Sequence, residues 1–150
     1  SVLIIGAGAT ARAAVSSVSQ FAKSISVISR NPEREAAMNQ ASLVDVTYLP
    51  WEFTSQINTA TLVINTTPNQ AADFFTSSIS SPSGTFFEVL YHPWPTSMSK
   101  VWSESSGPVI DGLDLLIHQA ISQIEIFADL RCDRELLLAK MRDAAVKKLA

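Results

Sequence analysis

Gly6-Ala7-Gly8-Ala9-Thr10-Ala11 stands directly behind the apolar run Val2-Leu3-Ile4-Ile5 and ahead of a helix rich in small residues. The chemistry open to such a segment is anion binding by backbone groups. Gly6 permits a tight strand-to-helix turn, Gly8 has no Cβ to hold the backbone away from phosphates, and Ala11 is small enough for the helix to pack closely on the strand. The helix N-terminus adds free N–H groups and the positive end of the helix dipole. Strand, glycine turn and helix in this order fit the pyrophosphate of a dinucleotide, with Gly6, Ala7, Gly8, Ala9 and Thr10 as its contacts. Structural turns collect the same small residues, so the context decides. Here it is an apolar strand before the motif and a stripe of Ala11, Ala14, Val15, Val18, Phe21 and Ala22 at helical spacing after it.

A second group that could do chemistry follows the next apolar run. NAD-binding units usually end their second strand on an acidic residue, about 20 residues past the glycines, which accepts hydrogen bonds from the ribose 2′-OH. This chain has Ser29-Arg30-Asn31 there, with Arg34 a helical turn later. Two guanidinium groups suit a 2′-phosphate, and the carboxylate that would repel it is missing from the end of the strand. The pattern favours NADP; the other use for both arginines is as solvated residues at a helix start.

These groups need a frame. Ser24–Ser29, with Ile25, Val27 and Ile28, reads as a second buried strand, and a helix is expected from about Pro32 to Gln40, with Pro32 in its first turn. Further strands are expected over Leu43–Leu49, Thr61–Asn65, Gly84–Leu90 and, briefly, Pro108–Ile110. Strands separated by crossover connections predict an α/β domain, a Rossmann-like doubly wound parallel sheet of about six strands with helices on both faces, in the order 3-2-1-4-5-6. The Ser/Pro-rich stretch Thr76–Ser83 reads as a surface loop. From Gly112 two long helices are expected. Leu113, Leu116, Ile117, Ala120, Ile121, Ile124, Phe127 and Ala128 form one stripe suited to lying on a sheet, with Gln119 well away from it. After a break near Asp129–Asp133, Leu137, Leu138, Met141, Ala145 and Leu149 mark the last helix.

Composition narrows the function further. A chain of 150 residues that is 47% hydrophobic is about one domain with a real core. Net charge is −3, and no Lys or Arg occurs between Arg34 and Lys100, so no basic stripe is available to a nucleic-acid backbone. The single cysteine, Cys132, excludes an internal disulfide and reads as an inert thiol on a helix, while His92 and His118 stand alone, so no metal site is expected. No run of about 18 apolar residues occurs, and Ser1 leads at once into a core strand. The expectation is a soluble, cytoplasmic protein with neither nucleic acid nor membrane as partner.

With these residues in place, the chain resembles the NADP-binding half of the shikimate dehydrogenases and their quinate/shikimate relatives. The likeness runs through five segments in order. The first two are the Gly6–Ala11 turn and Ser29-Arg30-Asn31 with Arg34, where the family commonly shows Asn-Arg-Thr and a second arginine. Asn65-Thr66-Thr67-Pro68 follows, like the family's Asn-Ala/Thr-Thr/Ser, then Tyr91-His92-Pro93-Trp94-Pro95-Thr96, like its Tyr-x-Pro-x-x-Thr. The last is Asp111-Gly112-Leu113-Asp114-Leu115-Leu116-Ile117-His118-Gln119-Ala120, like Asp-Gly-x-x-Met-Leu-x-x-Gln-Ala.

The resemblance implies NADPH-dependent reduction of 3-dehydroshikimate to shikimate, a step in aromatic amino-acid biosynthesis. It implies cofactor contacts from Ser29, Arg30, Asn31, Arg34, Thr66, Thr67 and Pro68, with Gly112 near the nicotinamide and Tyr91 and Gln119 reaching the substrate. Tyr91 could equally be a packed aromatic and Gln119 a solvated helix residue, and Asp111 reads best as a helix N-cap. Three departures stand out. Ser29 replaces the usual Asn, Leu115 the usual Met, and no counterpart exists for the catalytic lysine and aspartate that the family carries in a preceding substrate domain. No catalytic residue is therefore assigned within residues 1–150, and the chain alone is expected to be inactive. The alternatives are a quinate/shikimate paralogue or a free-standing module that senses NADPH.

Overall fold

The computed structural model describes residues 1–52 and 54–149. Short, mostly β-branched runs separated by helical crossovers build a parallel sheet of six strands among these residues, in the order β3-β2-β1-β4-β5-β6. The strands are β1 Val2–Ile5, β2 Ile25–Ile28, β3 Val46–Leu49, β4 Leu62–Asn65, β5 Thr85–Glu88 and β6 Val109–Ile110. The helices are α1 Ala9–Val18, α2 Glu35–Ala41, α3 Gln56–Thr59, α4 Ser97–Glu104, α5 Gly112–Ala128 and α6 Arg134–Leu149, with 3-10 turns at Pro32–Arg34 and Asp73–Ser78. The doubly wound order expected from the sequence is the order found.

Alternation along the central strands divides the core into two layers. Val2 and Ile4 of β1, Ile25 and Val27 of β2 and Ile64 of β4 face α1 and α2, where Ala11, Val15 and Met38 are buried. Leu3, Ile5, Ile28, Val63 and Phe86 face the other way, onto Ile57, Phe75, Met98 and Trp102. Both faces of β1 are thus covered, so its C-terminal end is held from both sides. The Gly6–Gly8 turn begins at that end.

Several expectations are corrected at the edges of elements. α1 stops at Val18 and Phe21 is 87% exposed, because the chain turns there and leaves the helical stripe. β3 starts at Val46, and Leu43 stays exposed. The segment Thr76–Ser83 is only partly a surface loop: the 3-10 turn runs through Ser78, and Ser78 and Ile79 are buried. α3 and α4 were not expected; α4 is capped by the Thr96 hydroxyl, which accepts from the Ser99 N–H at 3.2 Å, and it buries Met98 and Trp102.

The largest difference concerns α5. Only Leu113, Ile117 and Ile121 of its stripe are buried, and they pack on Leu137, Leu138, Met141 and Ala145 of α6. Leu116, Ile124 and Phe127 are exposed, Phe127 to 85%. A stripe of this width suits a sheet or a partner helix equally, and here the neighbouring amphipathic helix takes it. Cys132, expected on a helix, lies between α5 and α6, half-buried against the same cluster.

Candidate functional site

The ends of β1, β2 and β4 meet at one opening of the sheet. Gly6 follows β1 at φ +105°, and a Cβ there would stand 2.7 Å from Thr66 Oγ1, so only glycine fits the turn. The Thr66 hydroxyl donates to the Ile5 carbonyl at 2.8 Å, tying the segment after β4 to the end of β1. Gly8 is different in kind. A Cβ built on it meets only Arg34 Nη1, at 3.7 Å, so the space above it is open. Gly8 is also the N-cap of α1; no side chain caps that helix and its first turn holds no acidic residue. The positive end of α1 is thus left for an external anion.

The end of β2 supplies the charge. The Asn31 N–H donates to Ser29 Oγ at 3.1 Å, and Asn31 Oδ1 accepts from the Glu33 N–H at 2.9 Å, capping the 3-10 turn. This fold of the chain brings Arg34 back over the glycine turn, where its Nη1 donates to the Ala7 carbonyl at 3.3 Å. Arg30 projects beyond β2, its guanidinium carbon 4.8 Å from the ring centre of Trp51.

Of the residues singled out in the sequence, Gly6, Ala7, Gly8, Ser29, Arg30, Asn31, Arg34, Thr66, Thr67 and Pro68 line one cavity of about 420 Å³. Ala9 and Thr10 form the exposed first turn of α1 at its edge. The described residues of the lining carry two guanidinium groups and no carboxylate. An open position above Gly8, an uncapped helix end and two cations fit a dinucleotide with an additional phosphate. Gly112 stands apart from this cavity. A Cβ on it would lie 2.2 Å from the Val89 carbonyl oxygen, so packing of α5 on the end of β5 requires the glycine. Tyr91 lines a separate cavity of about 390 Å³ with Trp94, Asp111, Arg142 and Leu149. Gln119 is exposed on α5 and lines neither cavity. Asp111 does cap α5: its Oδ1 accepts from the Asp114 N–H at 3.0 Å.

Two residues of the site were missed in the sequence. Trp51 lines the first cavity; its signal was the parallel register, in which Leu49 sits opposite Ile28, so that Trp51 falls beside Arg30. Glu88 is fully buried at the end of β5. Its carboxylate accepts from Asn65 Nδ2 at 2.9 and 3.2 Å, from the Thr96 hydroxyl at 3.0 Å and from the Leu90 N–H at 3.3 Å. Burial raises its pKa, and these hydrogen bonds hold it down against that. An acid inside the apolar run Thr85–Leu90 was the available clue, since a buried carboxylate must have partners. Asn65 Oδ1 in turn accepts from the Thr67 N–H and hydroxyl at 3.2 and 2.8 Å, so the buried acid fixes the segment that walls the cavity.

No family model matches the chain. The shikimate dehydrogenase (NADP(+)) of Pyrobaculum aerophilum is 32% identical over 145 residues, which take in 91% of this chain and 52% of that protein. That of Rhizobium meliloti is 29% identical over 141 residues, 86% of this chain and 47% of the relative. The crystal structure of Mycobacterium tuberculosis shikimate dehydrogenase superposes with a TM-score of 0.83 at 26% identity, covering 93% of this chain and 56% of that one. The chain spans about half the length of the curated relatives it matches. By sequence and by fold the chain is similar to the shikimate dehydrogenases, over about half of their length.

Proposed function

We propose that residues 1–150 are the NADP(H)-binding domain of an oxidoreductase of the shikimate dehydrogenase kind, acting in the cytoplasm on the 3-dehydroshikimate/shikimate pair in aromatic amino-acid biosynthesis. The observation that carries this reading is the single cavity in which the glycine turn, the uncapped start of α1, Arg30 and Arg34 come together with no carboxylate among the described lining residues. The relatives' names, which specify NADP(+), agree with it.

In this reading the N–H groups after Gly8 hold the pyrophosphate, and Arg30 and Arg34 take the 2′-phosphate as charge-assisted hydrogen-bond donors. Thr66, Thr67 and Pro68 wall the cofactor, with Gly112 toward its nicotinamide end. Tyr91 and Gln119 serve the substrate side. The cofactor supplies the hydride; this half of the enzyme binds and orients. The proton donor and most substrate contacts belong to a companion substrate domain that precedes this segment, as the family's lysine and aspartate do.

Calorimetric titration of the chain with NADP+ and with NAD+ tests the reading directly. Tighter binding of NADP+ is the expected result. Equal dissociation constants, or no binding of either, would overturn it.

A further inference from the structure

We propose that Trp51 is a specificity-determining positioning residue, one that holds the Arg30 guanidinium by its face so that its N–H edge is presented to a phosphate. The proposal rests on the NADP(H) reading above and assigns a role that the glycine turn and the two arginines do not include.

The geometry comes from the sheet. β2 and β3 pair in parallel with Ile28 opposite Leu49, and the Ser29 N–H donates to the Leu49 carbonyl at 3.2 Å. Two residues further along each strand, Arg30 and Trp51 emerge side by side, with the guanidinium carbon 4.8 Å from the ring centre. Trp51 is anchored from behind. Its ring meets the fully buried Phe75 edge-on, at 5.2 Å and 68°. Phe75, Trp51 and Arg30 thus form a run of contacts from the core to the cavity wall, with Phe75 edge-on to Trp51 and the Arg30 guanidinium over the Trp51 ring.

The two arginines are held in different ways. Arg34 spends a donor on the Ala7 carbonyl. Arg30 makes no hydrogen bond or ion pair among the described residues. An exposed arginine with no partner would ordinarily sample many rotamers, at a cost in entropy when it closes on a ligand. Stacking on an aromatic face restricts it without occupying a single N–H, because the attraction acts through the face and the donors lie in the plane of the group. The ring therefore contributes where a phosphate is the ligand, and little where a ribose hydroxyl stands in its place.

The experiment measures dissociation constants of NADP+ and NAD+ for the unmodified chain, Trp51→Phe, Trp51→Leu, Arg30→Ala and the Arg30→Ala/Trp51→Leu double variant. Leucine keeps apolar bulk against Phe75 and removes the π-face. Expected are an NADP+ affinity lowered about two- to fivefold in Trp51→Leu with NAD+ nearly unchanged, largely preserved affinity in Trp51→Phe, and no further loss when Trp51→Leu is added to Arg30→Ala. Equal weakening of both cofactors, or additive losses in the double variant, would overturn the proposal. A measurement free of folding effects is the NMR shift of the Arg30 side-chain protons in the unmodified chain, expected upfield through the Trp51 ring current. Shifts at the values of a free arginine would also overturn it. If the unmodified chain binds neither cofactor, it is the NADP(H) reading that fails. If it prefers NADP+ and Trp51→Leu keeps that preference, only the role of Trp51 fails.

Discussion

Asn65, at the end of β4, and Glu88, at the end of β5, sit opposite each other in the parallel register and are joined across it by the Asn65 amide, 2.9 Å from Glu88 Oε2. The pair connects two loops. Through Asn65 Oδ1 it fixes Thr67 beside the candidate cofactor cavity, and through the Leu90 N–H and the Thr96 hydroxyl it fixes both ends of the segment that carries Tyr91.

Removing the carboxylate should be costly. Glu88→Ala takes the acceptor from the Asn65 amide and the Leu90 N–H and leaves the Thr96 hydroxyl only Ser99 Oγ, which amounts to about 2–5 kcal/mol when unpaired donors are summed. Denaturant unfolding at pH 7 measures it, and a change below about 0.5 kcal/mol would contradict the buried network.

The same group has a definite pH sign. Burial raises the pKa of Glu88 from its ordinary 4.5, so only between that value and the folded pKa does the folded chain hold a proton that the unfolded chain has released. Its contribution to stability is complete below that ordinary value and is lost as pH rises through the folded pKa. Asn65→Ala removes a hydrogen bond that lowers this pKa, and should therefore steepen the loss of stability on going from pH 5 upward. Unfolding midpoints across a pH series, compared with those of Glu88→Gln, give the slope; no difference in slope would refute it.

Gly6 and Gly8 should part company on substitution. Gly6→Ala places a Cβ 2.7 Å from Thr66 Oγ1 at a positive φ, and should destabilise the fold by about 1–3 kcal/mol. At Gly8 a Cβ meets only the mobile end of Arg34, at an ordinary contact distance of 3.7 Å, so in Gly8→Val the melting temperature should hardly move while NADP(H) binding is lost. Normal cofactor affinity in Gly8→Val would mean that the turn is purely structural.

The central part of this was legible in the sequence and the margins were not. Val2–Ile5, the glycine turn and the Ile25–Ile28 run announce themselves because covalent pattern and local conformation coincide there. Trp51 and Glu88 do not, since what they do depends on strands brought together from more than 20 residues away, as Arg30 to Trp51 and Asn65 to Glu88 show. The stripe on α5 held for Leu113, Ile117 and Ile121, failed for Leu116, Ile124 and Phe127, which stay exposed, and was wrong in its partner, because amphipathicity alone tells neither how much of a face is covered nor by what.

Arg142 should be a salt-sensitive tie. It pairs with Asp111 at 2.5 Å and also with Asp114, linking α6 to the start of α5, and its guanidinium holds the Asp111 carboxyl below its ordinary pKa. The stability this confers is present above the ordinary value of 3.8 and is lost as pH falls through the folded pKa. With Arg142 more than a third exposed, Arg142→Ala is expected to cost no more than about 1 kcal/mol in dilute buffer and less in 1 M salt. An effect that salt leaves unchanged would argue that Arg142 acts by packing.

The chain by itself should show no turnover. Carbonyl reduction requires a proton donor within reach and an oriented substrate as well as a hydride. Shikimate and NADP+ mixed with the chain should give no rise in NADPH absorbance above background. A sustained rise would locate the catalytic groups within these residues.

The seam between α5 and α6 has its own bearing on motion. Leu113, Ile117 and Ile121 close on α6 and form a cluster separate from the two layers that cover the sheet. A helical hairpin with a private core can detach and re-dock as a foldon while the strands remain protected. Amide protons of α5 and α6 should accordingly exchange with solvent as one group, well ahead of those in β1, β2 and β4.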